Sequence, residues 1–333
     1  MLFYFSFYYP PYNFFQLYRN LELTHFFIFK FCLGLFFISK GASWFTDASV
    51  SIANKFKVPK VVIGATLVSI FTTLPEFSVS FLASVRSQPD TSLGNAVGSV
   101  ICNLGLVLSV SAIISPIYTE GKIKSRSLFM FIIGILLFLF TYFFGHGFIS
   151  ESLGAVLLLI SILYLIFSST ARNSQEFIEE SDDSSIRIVI FFIFGALFVI
   201  IGSYLVVSNV IPIAKYIGVP EIIIALTMVA IGTSLPELVM AIASSLKGHS
   251  GIALGNVVGA NILNLTLVIG SAALYSPLKI AHKTYLIDLP YMIFMMGLFL
   301  CFILIRERIT KNSGLILLVS YILYLFVSFF DQL

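Results

Sequence analysis

Two glutamates stand beside prolines in the middle of apolar stretches: Glu76 in "TTLPEF", residues 72–77, and Glu237 in "TSLPEL", residues 233–238. An ionised carboxylate at the centre of a bilayer costs about 3 kcal/mol on insertion scales, so it persists only when paired, protonated or bound to a cation. Neither stretch carries a lysine or arginine at that depth, and Lys40 is the only basic residue deep in any apolar segment. The bland reading, two neutral glutamates that pin helices by hydrogen bonds, is the weaker one, because intramembrane acids mark ion pathways by default.

The neighbouring residues point to the same chemistry. Pro75 and Pro236 have no N–H to offer the carbonyls of Phe71 and Gly232, so each helix is expected to kink and free main-chain oxygen. Thr72 and Glu76, like Thr233 and Glu237, are spaced to share one helical face. Brought together, the two copies make an oxygen-only cage with two negative charges. Such a cage suits Ca²⁺ or Na⁺ and lacks the imidazole or thiolate that selects zinc or copper.

Each motif is followed by an amide-bearing segment, "LGNAVGSVICN" from Leu93 to Asn103 and "LGNVVGANILN" from Leu254 to Asn264. Asn95, Ser99 and Asn103 recur every four residues as one polar stripe, and the glycines form GxxxG surfaces for close helix approach. Asn95 and Asn256 fit packing and cation contact equally well. Asn103 and Asn264, nearer the glutamates, are expected to contact cation or carboxylate.

The elements that must position these residues follow from composition. Of 333 residues, 59% are hydrophobic and only 11% charged, which excludes a soluble globule. Spans of about 20 apolar residues fall at roughly 26–52, 58–84, 92–115, 127–144, 152–169, 187–210, 219–245, 253–275, 285–305 and 313–330. The expected fold class is an all-α polytopic membrane protein of ten transmembrane helices. Lysine and arginine crowd the loops near residues 55–60, 122–126, 172–187, 247 and 306–311 and are about half as frequent opposite, so both termini are expected outside. The cell membrane is the expected location. A net charge of +3 gives no support for a nucleic-acid partner, and no protein partner is implied beyond the lipid bilayer.

An offset of 161 positions, as from Thr72 to Thr233, superposes the two motif regions, with 24 identical pairs among the 59 positions from Val58 to Pro116. Gly34 and Gly41 continue the register to Gly195 and Gly202. The expected organisation is an N-terminal extension (1–25), a first five-span repeat (26–169), an acidic cytoplasmic linker (170–186) and a second five-span repeat (187–333). Five is odd, so the second copy is inverted, an architecture of secondary transporters with the site at the midplane. The aromatic first 25 residues lack a signal peptide's basic start and cleavage site and read as an interfacial extension.

Other features read as structural. Cys32, Cys102 and Cys301 lie in apolar segments without metal spacing, and His146, His249 and His282 lie in loops or at a span end, where solvation is expected. There is no HExxH, GxSxG or P-loop, so no enzyme and no cofactor are expected.

"TTLPE" and "GTSLPE", each followed by "LGNxxGxxxxN", resemble the two alpha repeats of the sodium/calcium exchanger family, within the calcium/cation antiporter superfamily, and most resemble its prokaryotic members. The resemblance implies alternating exchange of Ca²⁺ for Na⁺ at central sites arranged as a diamond. It implies that Glu76, Glu237 and the carbonyls of Thr72 and Thr233 hold Ca²⁺. Sodium would draw on the same glutamates with Thr73, Ser234, Ser99, Asn103, Asn264 and the carbonyls of Ser69 and Ala230. The proton-coupled branch typically carries a GNxxE-type motif instead. Four positions depart from the family: Phe71 for glycine, where the ring would narrow the ion path or face lipid; Ala260 for serine, which removes a hydroxyl; Thr73 for serine, which keeps it; and Asn264 for aspartate. The expected function is a Na⁺/Ca²⁺ antiporter in which the first and sixth spans slide against the rest, helped by Gly34, Gly41, Gly195 and Gly202. Ca²⁺/H⁺ exchange and a passive cation channel are the alternatives.

Overall fold

The computed structural model describes residues 14–119, 123–143, 145, 147–169, 184–216 and 232–330. Ala230, His146, most of the 170–186 linker and the first half of the 219–245 span lie outside the described residues.

The described residues are helical almost throughout. Its helices are α1 (Phe14–Phe56), α2 (Lys60–Thr72), α3 (Leu74–Val85), α4 (Pro89–Ile114), α5 (Ile123–Phe143), α6 (Glu151–Ser169), α7 (Ser185–Tyr216), α8 (Leu235–Leu246), α9 (Ser250–Tyr275), α10 (Thr284–Arg306) and α11 (Lys311–Phe330). Among the described residues, eight helices are long and apolar enough to span a bilayer, and α2 with α3 makes a ninth across a 44° bend. The short apolar α8 is the described end of the expected 219–245 span.

The boundaries differ from the sequence expectation where backbone chemistry, not hydropathy, ends a helix. α1 runs past residue 52 to Phe56 and stops where Lys57 turns left-handed (φ 53°), two residues before Pro59. The expected single span at 58–84 is two helices meeting at Thr73. α7 continues beyond residue 210 through Pro212, a helix interruption that a membrane bundle tolerates.

The centre of the bundle is α4 and α9. The apolar window of α9 is 94% buried and that of α4 72% buried, against 22% for α1. Close approach there needs glycine: a Cβ on Gly255 would lie 2.3 Å from the Val61 carbonyl oxygen, and one on Gly64 would lie 2.4 Å from that of Ile252, so α2 and α9 touch backbone to backbone. Gly94 and Gly98, expected to do the same, have no described atom within 4 Å of an added Cβ. The segment aligned with α2 lies mostly outside the described residues.

Contacts between the two halves recur with the halves exchanged at the 161-residue offset. Gly34 on α1 meets Gly202 on α7, while Gly41 meets Gly195. Two short antiparallel ladders close the ends of the bundle: β1 (Ile117–Tyr118) pairs with β4 (Arg308–Ile309), and β2 (Phe148–Ile149) with β3 (Leu278–Lys279). The turns after α3 and α8 both use a left-handed residue, Ser87 (φ 57°) and Gly248 (φ 74°). Beside the first ladder, Lys124 pairs with Glu307, and this hydrogen bond and charge hold the Glu307 carboxyl below its ordinary range.

Candidate cation site

The break at Thr73 creates the first half of the site. With Pro75 offering no N–H to the Phe71 carbonyl, the ladder is interrupted and α3 leaves at an angle. A π turn at Gly64–Val68 precedes the break, and matching π turns begin at Asn103 and Asn264. Such turns unseat single carbonyls and are frequent at functional sites. Sequence reasoning missed all three, since no residue type marks them locally.

Glu76, Glu237, Ser69, Asn103 and Asn264 are fully buried, and Thr72, Thr73, Ser99 and Ser234 are almost so; Thr233 is half-buried. The hydroxyls cross between the halves. Ser234 Oγ lies 3.5 Å from Glu76 Oε1, and Ser99 Oγ lies 3.4 Å from Thr233 Oγ1. Thr72 Oγ1 donates to Asn256 Oδ1 at 3.0 Å, and its counterpart Thr233 Oγ1 donates to Asn95 Oδ1 at 3.3 Å. Asn95 Nδ2 completes the frame, donating to the Glu76 carbonyl at 3.2 Å and to Ser80 at 2.9 Å. Thr72 and Glu76, expected to share one helical face, lie on either side of the break, and the Thr72 hydroxyl is directed to Asn256 of the other repeat.

The polar atoms left without a hydrogen-bond partner concentrate here. Glu76 Oε2, both carboxylate oxygens of Glu237, both side-chain polar atoms of Asn264, Asn103 Oδ1 and Thr73 Oγ1 are buried and unmatched. Buried polar groups are normally satisfied, so such a cluster calls for a missing partner. No basic side chain supplies it among the described residues. Lys40 is exposed, and Lys124 and Lys247 are taken up by Glu307 and Asp47, the second pair at 2.6 Å. Nor is there a cluster of three or more His, Cys, Asp or Glu among the described residues. The site offers two carboxylates and neutral oxygens.

One residue at the site escaped the sequence reading. Asn261 on α9 accepts from Asn103 Nδ2 at 3.0 Å and has its own Nδ2 unmatched. Its counterpart in the first repeat is Val100, so a search for repeated polar positions passes over it. The available signal was a second amide three residues before Asn264 in a wholly apolar context. Asn261→Ala is expected to keep a folded protein but weaken apparent Ca²⁺ affinity about tenfold, because Asn103 loses the acceptor that orients its amide; unchanged affinity in vesicle transport would show that Asn103 needs no such support.

The departures from the family pattern also find their places. The Phe71 ring stacks edge-on against Phe192 of α7 (5.3 Å, 90°) and lies 6.3 Å from Phe45 of α1. It neither faces lipid freely nor is among the polar groups of the site. Ala260 is fully buried in α9. His249, expected to be solvated, is half-buried; Lys60 Nζ lies 3.3 Å from its Nδ1, and burial with the nearby Lys60 charge lowers its pKa. A lysine only donates, so Nδ1 is the acceptor and the ring is neutral in this contact.

A bundle of apolar helices around a buried carboxylate and amide site defines a multi-pass membrane protein of the ion-handling class. Residues 26–170 and 187–330 match the family of sodium/calcium exchanger proteins, and the chain belongs to that family. It is 35% identical over 299 residues to an uncharacterised membrane protein of Methanocaldococcus jannaschii, covering 88% of this chain and 95% of that one. It is 31% identical over 341 residues to the sodium/calcium exchanger MaX1 of Methanosarcina acetivorans, covering 90% and 97%. A solved structure of the sodium-calcium exchanger NCX_Mj, soaked with 2.5 mM Na⁺ and 10 mM Sr²⁺, superposes with a TM-score of 0.80 at 33% identity, covering 90% of this chain and 98% of that one.

Proposed function

We propose that this protein is a secondary active antiporter that exchanges Ca²⁺ for Na⁺ at the cluster around Glu76 and Glu237. The observation that carries the reading is the pair of fully buried carboxylates with unmatched oxygens and no basic side chain among the described residues to neutralise them. A divalent cation balances two such charges; its place can be taken by monovalent cations spread over the surrounding oxygens. Glu76, Glu237 and the carbonyls of Thr72 and Thr233 hold Ca²⁺. Thr73, Ser234, Ser99, Asn103, Asn264 and the carbonyls of Ser69 and Ala230 complete the sodium positions, with Asn261 behind Asn103.

The architecture in this reading is ten spans in two inverted five-helix repeats, with both termini outside the cell membrane. The crossed threonine–asparagine contacts, the paired glycines of α1 and α7 and the two ladders support a pseudo-two-fold axis through the site. Alternating access needs a surface that can move, and the α1–α7 pair meets the rest of the bundle beside Phe71.

The purified protein in Na⁺-loaded vesicles is expected to take up radiolabelled Ca²⁺ when external Na⁺ is removed. Uptake driven by a pH gradient without Na⁺ would replace sodium by protons as the coupling ion. Uptake that ignores every counter-ion would make the protein a channel.

A further inference from the structure

We infer that Tyr164 is a positioning residue for the cation site proposed above, on which the inference rests: its hydroxyl clamps the carbonyl that the π turn of α2 releases and so holds Ser69, Thr72 and Thr73 in register with the site. Within that turn the Ser69 N–H donates to the Gly64 carbonyl, five residues back, instead of to Ala65. The Ala65 carbonyl thus loses its α-helical donor in a fully buried place. Tyr164 of α6, only 6% exposed, replaces it, its hydroxyl donating at 2.8 Å across 99 residues of sequence. A buried carbonyl left unmatched is costly, so the hydroxyl and the π turn stabilise each other.

The helix that bears the hydroxyl is itself fixed. α6 lies backbone to backbone on α9, where a Cβ on Gly154 would stand 2.8 Å from the Gly270 carbonyl oxygen. α9 also leaves room for the freed carbonyl, since a Cβ on Gly259 would stand 2.6 Å from the Ala65 oxygen. Beyond the turn the α pattern resumes, with the Thr73 N–H donating to the Ser69 carbonyl at 3.0 Å. The turn therefore inserts one residue between the stretch of α2 that rests on Gly255 and the stretch that carries the site, and one residue is about 100° of helical rotation. Without the hydroxyl, the Ser69 N–H can take back the Ala65 carbonyl. Thr72 then turns away from Asn256, which its hydroxyl now reaches at 3.0 Å. The position 161 residues after Tyr164 is Leu325, so the tyrosine is not repeated.

The test compares Tyr164→Phe with Tyr291→Phe in the full chain. Tyr291 is the matched control, because its hydroxyl also donates to a span carbonyl, that of Ser320 at 2.6 Å, but between α10 and α11. Each variant loses one hydroxyl-to-carbonyl bond, so similar melting temperatures are expected. In Na⁺-loaded vesicles only Tyr164→Phe is expected to raise the half-saturating Ca²⁺ concentration, about tenfold, as for metal ligands that have lost their support, with the maximal rate kept. In cation-free protein, amide hydrogen exchange over residues 61–73 is expected to quicken in Tyr164→Phe and not in Tyr291→Phe, whatever ion the protein carries. Unchanged half-saturation in Tyr164→Phe, an equal rise in Tyr291→Phe, or unchanged exchange over α2 would overturn the proposal. Wild-type protein that moves no Ca²⁺ would overturn the function proposed above instead, and the hydrogen-exchange comparison would still decide the clamp.

Discussion

Glu76→Gln and Glu237→Gln are each expected to abolish Ca²⁺ uptake into Na⁺-loaded vesicles while leaving the protein folded. Both side chains are fully buried, and three of their four carboxylate oxygens have no hydrogen-bond partner. Glutamine keeps the volume and removes one of the two charges. A divalent ion then sits in a buried site with an excess positive charge, and breaking a buried charge pair in this way costs about 3 kcal/mol or more, roughly 100-fold in affinity. The residual site retains its neutral oxygens, so a monovalent ion is penalised less than Ca²⁺. Sodium binding should therefore weaken less than calcium binding in either variant. Full transport by both variants would remove the carboxylates from the cation site.

The second large effect is expected at Gly255. Its added Cβ would stand 2.3 Å from the Val61 carbonyl oxygen, 2.9 Å from the Ala65 nitrogen and 3.0 Å from the Val61 carbonyl carbon, all of them backbone atoms. Neither helix can turn a side chain aside to make room, so Gly255→Ala must push α2 away from α9. Overpacking of this kind costs about 1–3 kcal/mol, more where only backbone can yield. It also moves Thr72 from Asn256, which lies one residue beyond the clash. The variant is expected to melt several degrees lower and to lose exchange. Gly297→Ala is the control: its Cβ would meet only the edge of the Phe131 ring at 3.3 Å, and near-normal stability is expected. Equal behaviour of the two variants would mean that the α2–α9 crossing is not held at backbone contact.

The glycine contacts also fix where the polar groups sit. Gly64, Gly255 and Gly259 let α2 lie directly on α9, and a Cβ on Gly259 would meet the Ser69 hydroxyl oxygen at 2.7 Å. The polar groups thus sit on a rigid crossing, whereas α1 and α7 pack on each other through Gly34, Gly41, Gly195 and Gly202 and reach the site helix through rings. A backbone-to-backbone pair at the polar cluster and a separate glycine-faced pair beside it suit the alternating access proposed above.

Much of this was legible in the amino-acid sequence. The charge cost of Glu76 and Glu237 in apolar surroundings pointed to the site without any fold, because the penalty for burying an unpaired charge depends on medium more than on geometry. The repeat register found the corresponding asparagines, and hydropathy located most of the described spans to within a turn or two, although α1 begins twelve residues early, at Phe14. What tertiary structure alone decided is which partners meet. Thr72 is four residues from Glu76, yet its hydroxyl donates to Asn256 of the other repeat, and a 44° bend at Thr73 separates the helix that bears it from the one that bears Glu76. Asn261 has no repeated counterpart and joined the site only when α9 was set against α4. Phe71 is an ordinary apolar residue in the sequence and becomes a bridge between the site helix and the α1–α7 pair in space. Composition and periodicity are properties of one segment in its solvent, whereas a contact between segments is a property of their crossing, set by where glycine lets backbones touch and where proline makes them turn.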